Sequence, residues 1–112
     1  MDKYTMEQRI EECNRIIQKF PDRIPIIVQK AQKATDVPNI DKNKFLAPKG
    51  MTMGQFIYVV RRRMSLPPEK ALFLFVDNSL PTTSQLISDL YFNHRHRDGF
   101  LYVYYASEST FG

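Results

Sequence analysis

Residues 51–66 read MTMGQFIYVVRRRMSL, and this stretch decides the fold. Met53, Phe56, Ile57, Val60 and Met64 fall at i, i+3, i+4, i+7 and i+11, which places them on one face of a helix. Thr52 and Gln55 stand at capping-box spacing just ahead of the run. Pro67 and Pro68 close it, because a proline bars its preceding residue from the α region. A helix with one apolar face must be covered by another layer. Its neighbours along the chain show what that layer is.

Two short β-type runs lie upstream. RIPIIVQK (23–30) is rich in β-branched residues and predicts a buried strand, with Pro25 near its start because proline donates nothing to a ladder. KFLAP (44–48) predicts a second strand, stopped by Pro48 and with one side unpaired. The polar stretch 31–43 between them reads as a loop. Downstream, the apolar run ALFLFV (71–76) predicts a central strand. TTSQLISDLYFNH (82–94) predicts a short helix capped near Thr83 or Ser84. GFLYVYYA (99–106) predicts a last strand after the turn signal Asp98-Gly99.

Ahead of all these, YTMEQRIEECNRIIQKF (4–20) carries apolar residues at Met6, Ile10, Cys13, Ile16, Ile17 and Phe20. That pattern predicts an amphipathic helix, capped by Thr5 with Gln8 and ended by Pro21. Two strands, a helix and two more strands give the order of the ubiquitin-like β-grasp roll. The expected class is α+β: a four-stranded mixed sheet whose first and last strands are central neighbours, with an added N-terminal helix. One domain spans 1–112, divided into a helical extension (1–20), a β-grasp core (21–107) and a C-terminal tail (108–112).

Composition narrows the function. The lone cysteine, Cys13, excludes an internal disulfide and points to a reducing compartment. No stretch nears the roughly 18 apolar residues of a membrane span, and MDKYTMEQRI lacks the apolar core of a signal peptide. The formal charge of +4 favours acidic partners. Basic residues gather at 30–33, 42–49 and 61–63. Arg61, Arg62 and Arg63 span about 200° of a helix, so they cannot all face one ligand. A basic α+β module for nucleic acid or a membrane surface is the alternative reading. Cys13 belongs to an apolar helix face, which suits a core thiol. His94 and His96 sit in the charged NHRHRD with no further ligand at metal spacing. No catalytic set emerges, so the chain is expected not to be an enzyme, and no cofactor or metal is expected.

An edge strand bearing Lys42 and Lys44 suits β-augmentation by an acidic peptide, although edge lysines also guard against aggregation. The terminal Gly112 has no side chain and presents an unhindered carboxyl carbon.

The segments FPDRIPIIVQKA, IDKNKFLAPKGMTMGQFIYVVRRRM, ALFLFVDN and DGFLYVYYASESTFG closely resemble the autophagy-related ubiquitin-like modifiers. This family includes the microtubule-associated protein light chains and the GABA-receptor-associated proteins. The likeness runs from about Thr5 to Gly112, with a small loop-length difference near Asp36–Asn39, and the ending leans to the light-chain branch.

The resemblance implies a conjugation cycle. A cysteine protease exposes Gly112, activating and conjugating enzymes carry it as a thioester, and it is joined to the amine of phosphatidylethanolamine, with Phe111 guiding the tail. The same protease class removes the adduct. The protein is then cytoplasmic when free and on autophagosome membranes when lipidated, monomeric in solution, with no nucleic acid expected.

The resemblance also implies docking of aromatic-x-x-aliphatic motifs from cargo receptors. Glu12, Ile16, Pro25, Ile27, Lys44, Leu46 and Phe100 would line the aromatic pocket. Phe45, Ala47, Pro48, Met51, Phe56 and Val59 would line the aliphatic one. Arg23, Lys42, Lys44 and Arg63 would pair with acidic flanking residues. Ala47 stands where the family often has valine, a difference of about 1 kcal/mol in pocket contacts. Only MDKY precedes the first predicted helix, so roles tied to an earlier helix, such as tubulin contact, are not carried over.

Overall fold

The computed structural model describes residues 3–108. Its elements, in order, are α1 (Met6–Lys19), β1 (Arg23–Lys30), β2 (Lys44–Pro48), α2 (Met53–Met64), β3 (Phe73–Phe75), α3 (Ile87–His94) and β4 (Leu101–Ala106).

Both predicted capping boxes form. Thr5 accepts from the Gln8 amide and Gln8 reaches back to the Thr5 amide; Thr52 and Gln55 do the same for α2. These bonds satisfy amides that a helix start leaves without partners. Ser65 ends α2 in the left-handed region, and its amide closes back onto Arg61 and Arg62 carbonyls.

The four strands form one mixed sheet in the order β2-β1-β4-β3. β1 runs antiparallel to β2 and parallel to β4, so the first and last strands sit side by side at the centre. Pro25 pairs opposite Leu46, one residue before β4 joins the other side at Ile26, so its missing N–H falls where no β4 partner is registered.

Alternation along the strands divides the sheet into two faces. Ile24, Ile26, Val28, Leu101, Val103 and Tyr105 face α2 and join Met53, Phe56 and Val60 in the main core. Phe45 meets Phe56 edge-to-face at 5.6 Å within that core. On the opposite face Ile27 and Phe100 pack beneath α1, against Cys13.

Three expectations are corrected. The run ALFLFV supplies an edge strand of three residues, paired only with β4. It reads as a central strand because it is buried on both sides: Leu72, Leu74 and Val76 enter the main core, while Phe75 packs with Ala31 and Ala106. The third helix begins at Ile87, not near Thr83. Gln85 instead accepts from the Thr82 amide in a preceding turn, and Leu86 pairs with Thr52 as an isolated bridge. On α1, Ile17 and Phe20 are exposed at 37% and 39%, because the helix packs through Cys13 and Ile16 and its apolar stripe is wider than its contact.

Candidate functional site

β2 is an edge of the sheet, and the residues expected to bind ligand flank it on both faces. Lys44 and Leu46 alternate with Phe45 and Ala47 along its length, so one pair turns toward α1 and the other toward α2.

On the α1 side, strand register brings Pro25 opposite Leu46 and Ile27 opposite Lys44. Ile27 and Phe100 are fully covered and form a floor with Cys13, with Ile16 packed over it. Glu12 and Lys44 form an ion pair that links α1 to β2. The seven residues expected around the aromatic side chain therefore share this face of the sheet, with four at least partly exposed (Glu12, Ile16, Lys44, Leu46) and three buried (Pro25, Ile27, Phe100). Lys44 also lies 6.0 Å from the Tyr4 ring centroid.

On the α2 side, Phe45, Ala47 and Phe56 are core residues. Pro48, Met51 and Val59 stand at the surface and line an open, largely apolar groove with Gly50, Gly54, Gln55 and Tyr58. Sequence reasoning missed the last four. Their signal was present: Gln55 and Tyr58 sit opposite the apolar stripe of α2, and Gly54 is packed against Thr83, where an added Cβ would lie 3.2 Å from the Thr83 Cβ.

The expected acid-binding cations surround the strand. Arg23 donates to the Leu46 carbonyl at 3.4 Å, and the Arg63 guanidinium lies 5.4 Å from the Phe45 ring centroid. Lys42 and Lys44 lie at the opposite end of β2 from Arg23, whose partner in the register is Pro48. Phe111 and Gly112 lie outside the described residues.

The other chemistry-bearing groups resolve differently. Cys13 is 1% exposed, and burial together with Asp98 and Glu12 pushes its thiol up to about 11. At neutral pH it is a protonated core thiol, not a thiolate nucleophile. His94 Nδ1 lies 2.6 Å from Asp77, and His96 stacks edge-on against Tyr102 at 5.2 Å. The two histidines share an open polar cleft with Arg9, Gln29, Asn78 and Tyr104. No group of three or more metal-ligating side chains stands together among the described residues. Arg61 donates to the Pro67 carbonyl, Arg62 lies over Tyr58 and Arg63 lies over Phe45, so the three arginines serve three separate contacts. No described helix is long and apolar enough to cross a membrane.

A mixed β-grasp sheet with β1 and β4 at its centre, one helix beneath it and a second helix laid on its other face defines a ubiquitin-like protein. The family described as "Autophagy protein Atg8 ubiquitin like" matches residues 8–112, and the chain belongs to that family. Autophagy-related protein 8 of Mycosarcoma maydis is 53% identical over 111 residues, covering 99% of this chain and 93% of that protein. Autophagy-related protein 8e of Arabidopsis thaliana is 55% identical over 106 residues, covering 95% and 86%. Among solved structures, ATG8 of Trypanosoma brucei superposes with a TM-score of 0.89 at 38% identity, covering 97% of this chain and 93% of that one. Plasmodium falciparum Atg8, solved in complex with a P. falciparum Atg3 peptide, gives 0.88 at 35% identity, covering 96% and 94%. None of these four names assigns the chain to the light-chain or the GABA-receptor-associated branch. The chain is an autophagy-related ubiquitin-like protein.

Proposed function

We propose that this protein is a lipid-conjugated modifier that acts as a membrane-borne docking platform. Gly112 is joined through its carboxyl to the amine of phosphatidylethanolamine on autophagosomal membranes. Activating and conjugating enzymes supply the thioester steps, and a cysteine protease processes and releases the chain. The protein is the substrate of these steps and performs no catalysis. Two acyl chains give a lasting anchor that a cytoplasmic, monomeric form lacks.

The docking half of this reading rests on one observation: β2 is an edge strand with an apolar groove on its α2 side and the half-exposed Ile16 and Leu46 on its α1 side. An extended peptide added to such an edge sends alternate side chains to opposite faces. An aromatic residue would then enter beside Ile16 and Leu46. An aliphatic residue three positions on would enter the groove at Met51 and Val59. Lys42, Lys44, Arg23 and Arg63 would meet acidic flanking residues. The P. falciparum relative solved with an Atg3 peptide supports peptide binding on this fold.

The test is calorimetry with an acidic aromatic-x-x-aliphatic peptide. The double substitution Lys42→Ala, Leu46→Ala weakens binding tenfold or more, about 1.4 kcal/mol. Unchanged affinity removes the docking site. In parallel, Gly112→Ala folds normally and forms no lipid adduct on phosphatidylethanolamine liposomes; adduct formation by that variant removes Gly112 from the reaction.

A further inference from the structure

The end of β4 is enclosed by a collar built from the loop that follows β1. Tyr105 is fully buried, and its hydroxyl donates to the Pro38 carbonyl at 2.8 Å while accepting from the Ile40 amide at 3.1 Å. Its carbonyl accepts from the Ala31 amide at 2.9 Å. Val37 is 5% exposed within the main core, and its carbonyl accepts from Lys30 Nζ at 3.3 Å. These bonds pin residues 31–40 against β4. Asp36 stands at the collar's open side. One of its oxygens accepts from the Ser107 hydroxyl, one residue beyond β4, and the other accepts from Lys70 Nζ at 3.2 Å.

We infer that Asp36 is a positioning residue for the C-terminal segment: with Lys70 it clasps Ser107 and so holds the chain in place where it leaves β4. The inference rests on the reading that Gly112 is the reacting group.

The chemistry fits a carboxylate and no neutral substitute. Both partners of Asp36 are donors, and an ionised carboxyl accepts from both at once. An asparagine has one acceptor oxygen and turns its NH2 group toward another donor. The Ser107 hydrogen bond, then the Lys70 ammonium, hold the Asp36 carboxyl below its ordinary range, so it is ionised at neutral pH.

The consequence is geometric. Gly112 is the fifth residue beyond Ser107 in the sequence, a chain length of at most about 17 Å. With Ser107 held, that length is counted from a fixed point. With Ser107 released, that fixed point is lost, and the Gly112 carboxyl is presented from a moving origin. Its effective concentration at an enzyme active site then falls. The loss falls on capture of the tail, not on the acyl step.

The test uses the full chain as wild type, Asp36→Asn, Ser107→Ala, the double variant and Lys70→Gln. Thioester formation with the activating enzyme is measured against protein concentration, and the backbone order parameter at residue 107 is measured by nuclear relaxation. Asp36→Asn and Ser107→Ala each raise KM at least threefold with kcat unchanged, and the double variant is no worse than either single one. Lys70→Gln shifts KM less, because the Ser107 bond survives. The order parameter at 107 falls from a rigid value below about 0.6 in the first three variants. Affinity for the acidic peptide at β2 does not move, which separates tail positioning from a general loss of fold. KM within twofold of wild type with a rigid residue 107 overturns the clasp. If wild type forms no thioester, the conjugation reading fails, and an unchanged order parameter in Asp36→Asn still overturns the clasp.

Discussion

Arg9 Nε lies 3.0 Å from Oδ2 of Asp98, whose side chain is fully buried. The pair spans 89 residues of sequence and fastens α1 to the turn that opens β4. Asp98 also accepts from the Phe100 amide at 2.9 Å and from the Tyr102 hydroxyl. The network leaves no buried side-chain polar atom without a partner among the described residues.

A first prediction follows from that pair. Arg9→Met leaves the buried carboxylate with the Phe100 amide and the Tyr102 hydroxyl as donors and with His96 Nδ1 at 3.7 Å, and lowers unfolding free energy by about 3 kcal/mol. Adding Asp98→Asn removes the uncompensated charge, so the double variant regains part of the loss. Urea denaturation of the three proteins checks this. A double variant less stable than Arg9→Met would show that Asp98 contributes through its neutral hydrogen bonds and not through the pair.

A second prediction concerns Gly99, where φ is +98° and a Cβ would meet Cys13 Sγ at 2.7 Å. Two separate penalties apply: a backbone conformation that L residues avoid, and a clash with a buried side chain. Gly99→Ala is expected to destabilise the fold by about 2–3 kcal/mol. Combining it with Cys13→Ala removes the clash and leaves the backbone term. Full recovery in the pair, by thermal or urea unfolding, would show that the backbone tolerates the left-handed residue there.

Much of this was legible in local sequence, for a physical reason. Thr52 and Gln55, or Thr5 and Gln8, are three residues apart, so capping depends only on near neighbours. The periodicity of α2 and the β-branched run of β1 are local in the same sense. What failed was the reading of neighbours in space. The ALFLFV run reports burial on two faces, and burial does not count how many strands lie alongside. The candidate site was only partly readable. Edge lysines and Pro48 marked β2 as an unpaired strand, but the pocket residues came from resemblance, since Glu12 and Lys44 are 32 residues apart and carry no shared motif. The Asp36–Ser107 contact joins positions 71 residues apart and had no local signature.

A third prediction concerns the end of α2. Ser65 occupies the left-handed region at φ 53°, where a Cβ is unfavourable and glycine is the usual choice. Ser65 is exposed and its hydroxyl makes no side-chain hydrogen bond among the described residues, so little opposes the exchange. Ser65→Gly raises stability by about 0.5–1 kcal/mol, the backbone gain less the entropy a glycine loses on folding. A drop in the urea midpoint would show that the serine is held by contacts other than its cap.

The fourth prediction is a pH dependence. The Cys13 thiol ordinarily titrates near 9.0, and burial, then Asp98 and Glu12, raise it to about 11 in the folded protein. Below pH 9 both states keep the proton and the group contributes no pH slope. Between pH 9 and about 11 the unfolded chain loses the proton while the folded protein retains it, so stability falls as pH rises. Above both values the slope vanishes. Tyrosines and lysines also titrate at alkaline pH, but they are common to wild type and Cys13→Ala. Subtracting the two stability profiles therefore leaves the thiol together with its coupling to Tyr91, whose hydroxyl is pushed up by burial and then by the Cys13 charge. Cys13→Ala is less stable at neutral pH because it empties a packed site beneath Gly99, yet its profile falls less steeply across this window. Parallel profiles from pH 8 to 11 would mean that the thiol titrates alike in both states, and that Asp98 and the layer between α1 and the sheet are wetter than their burial indicates.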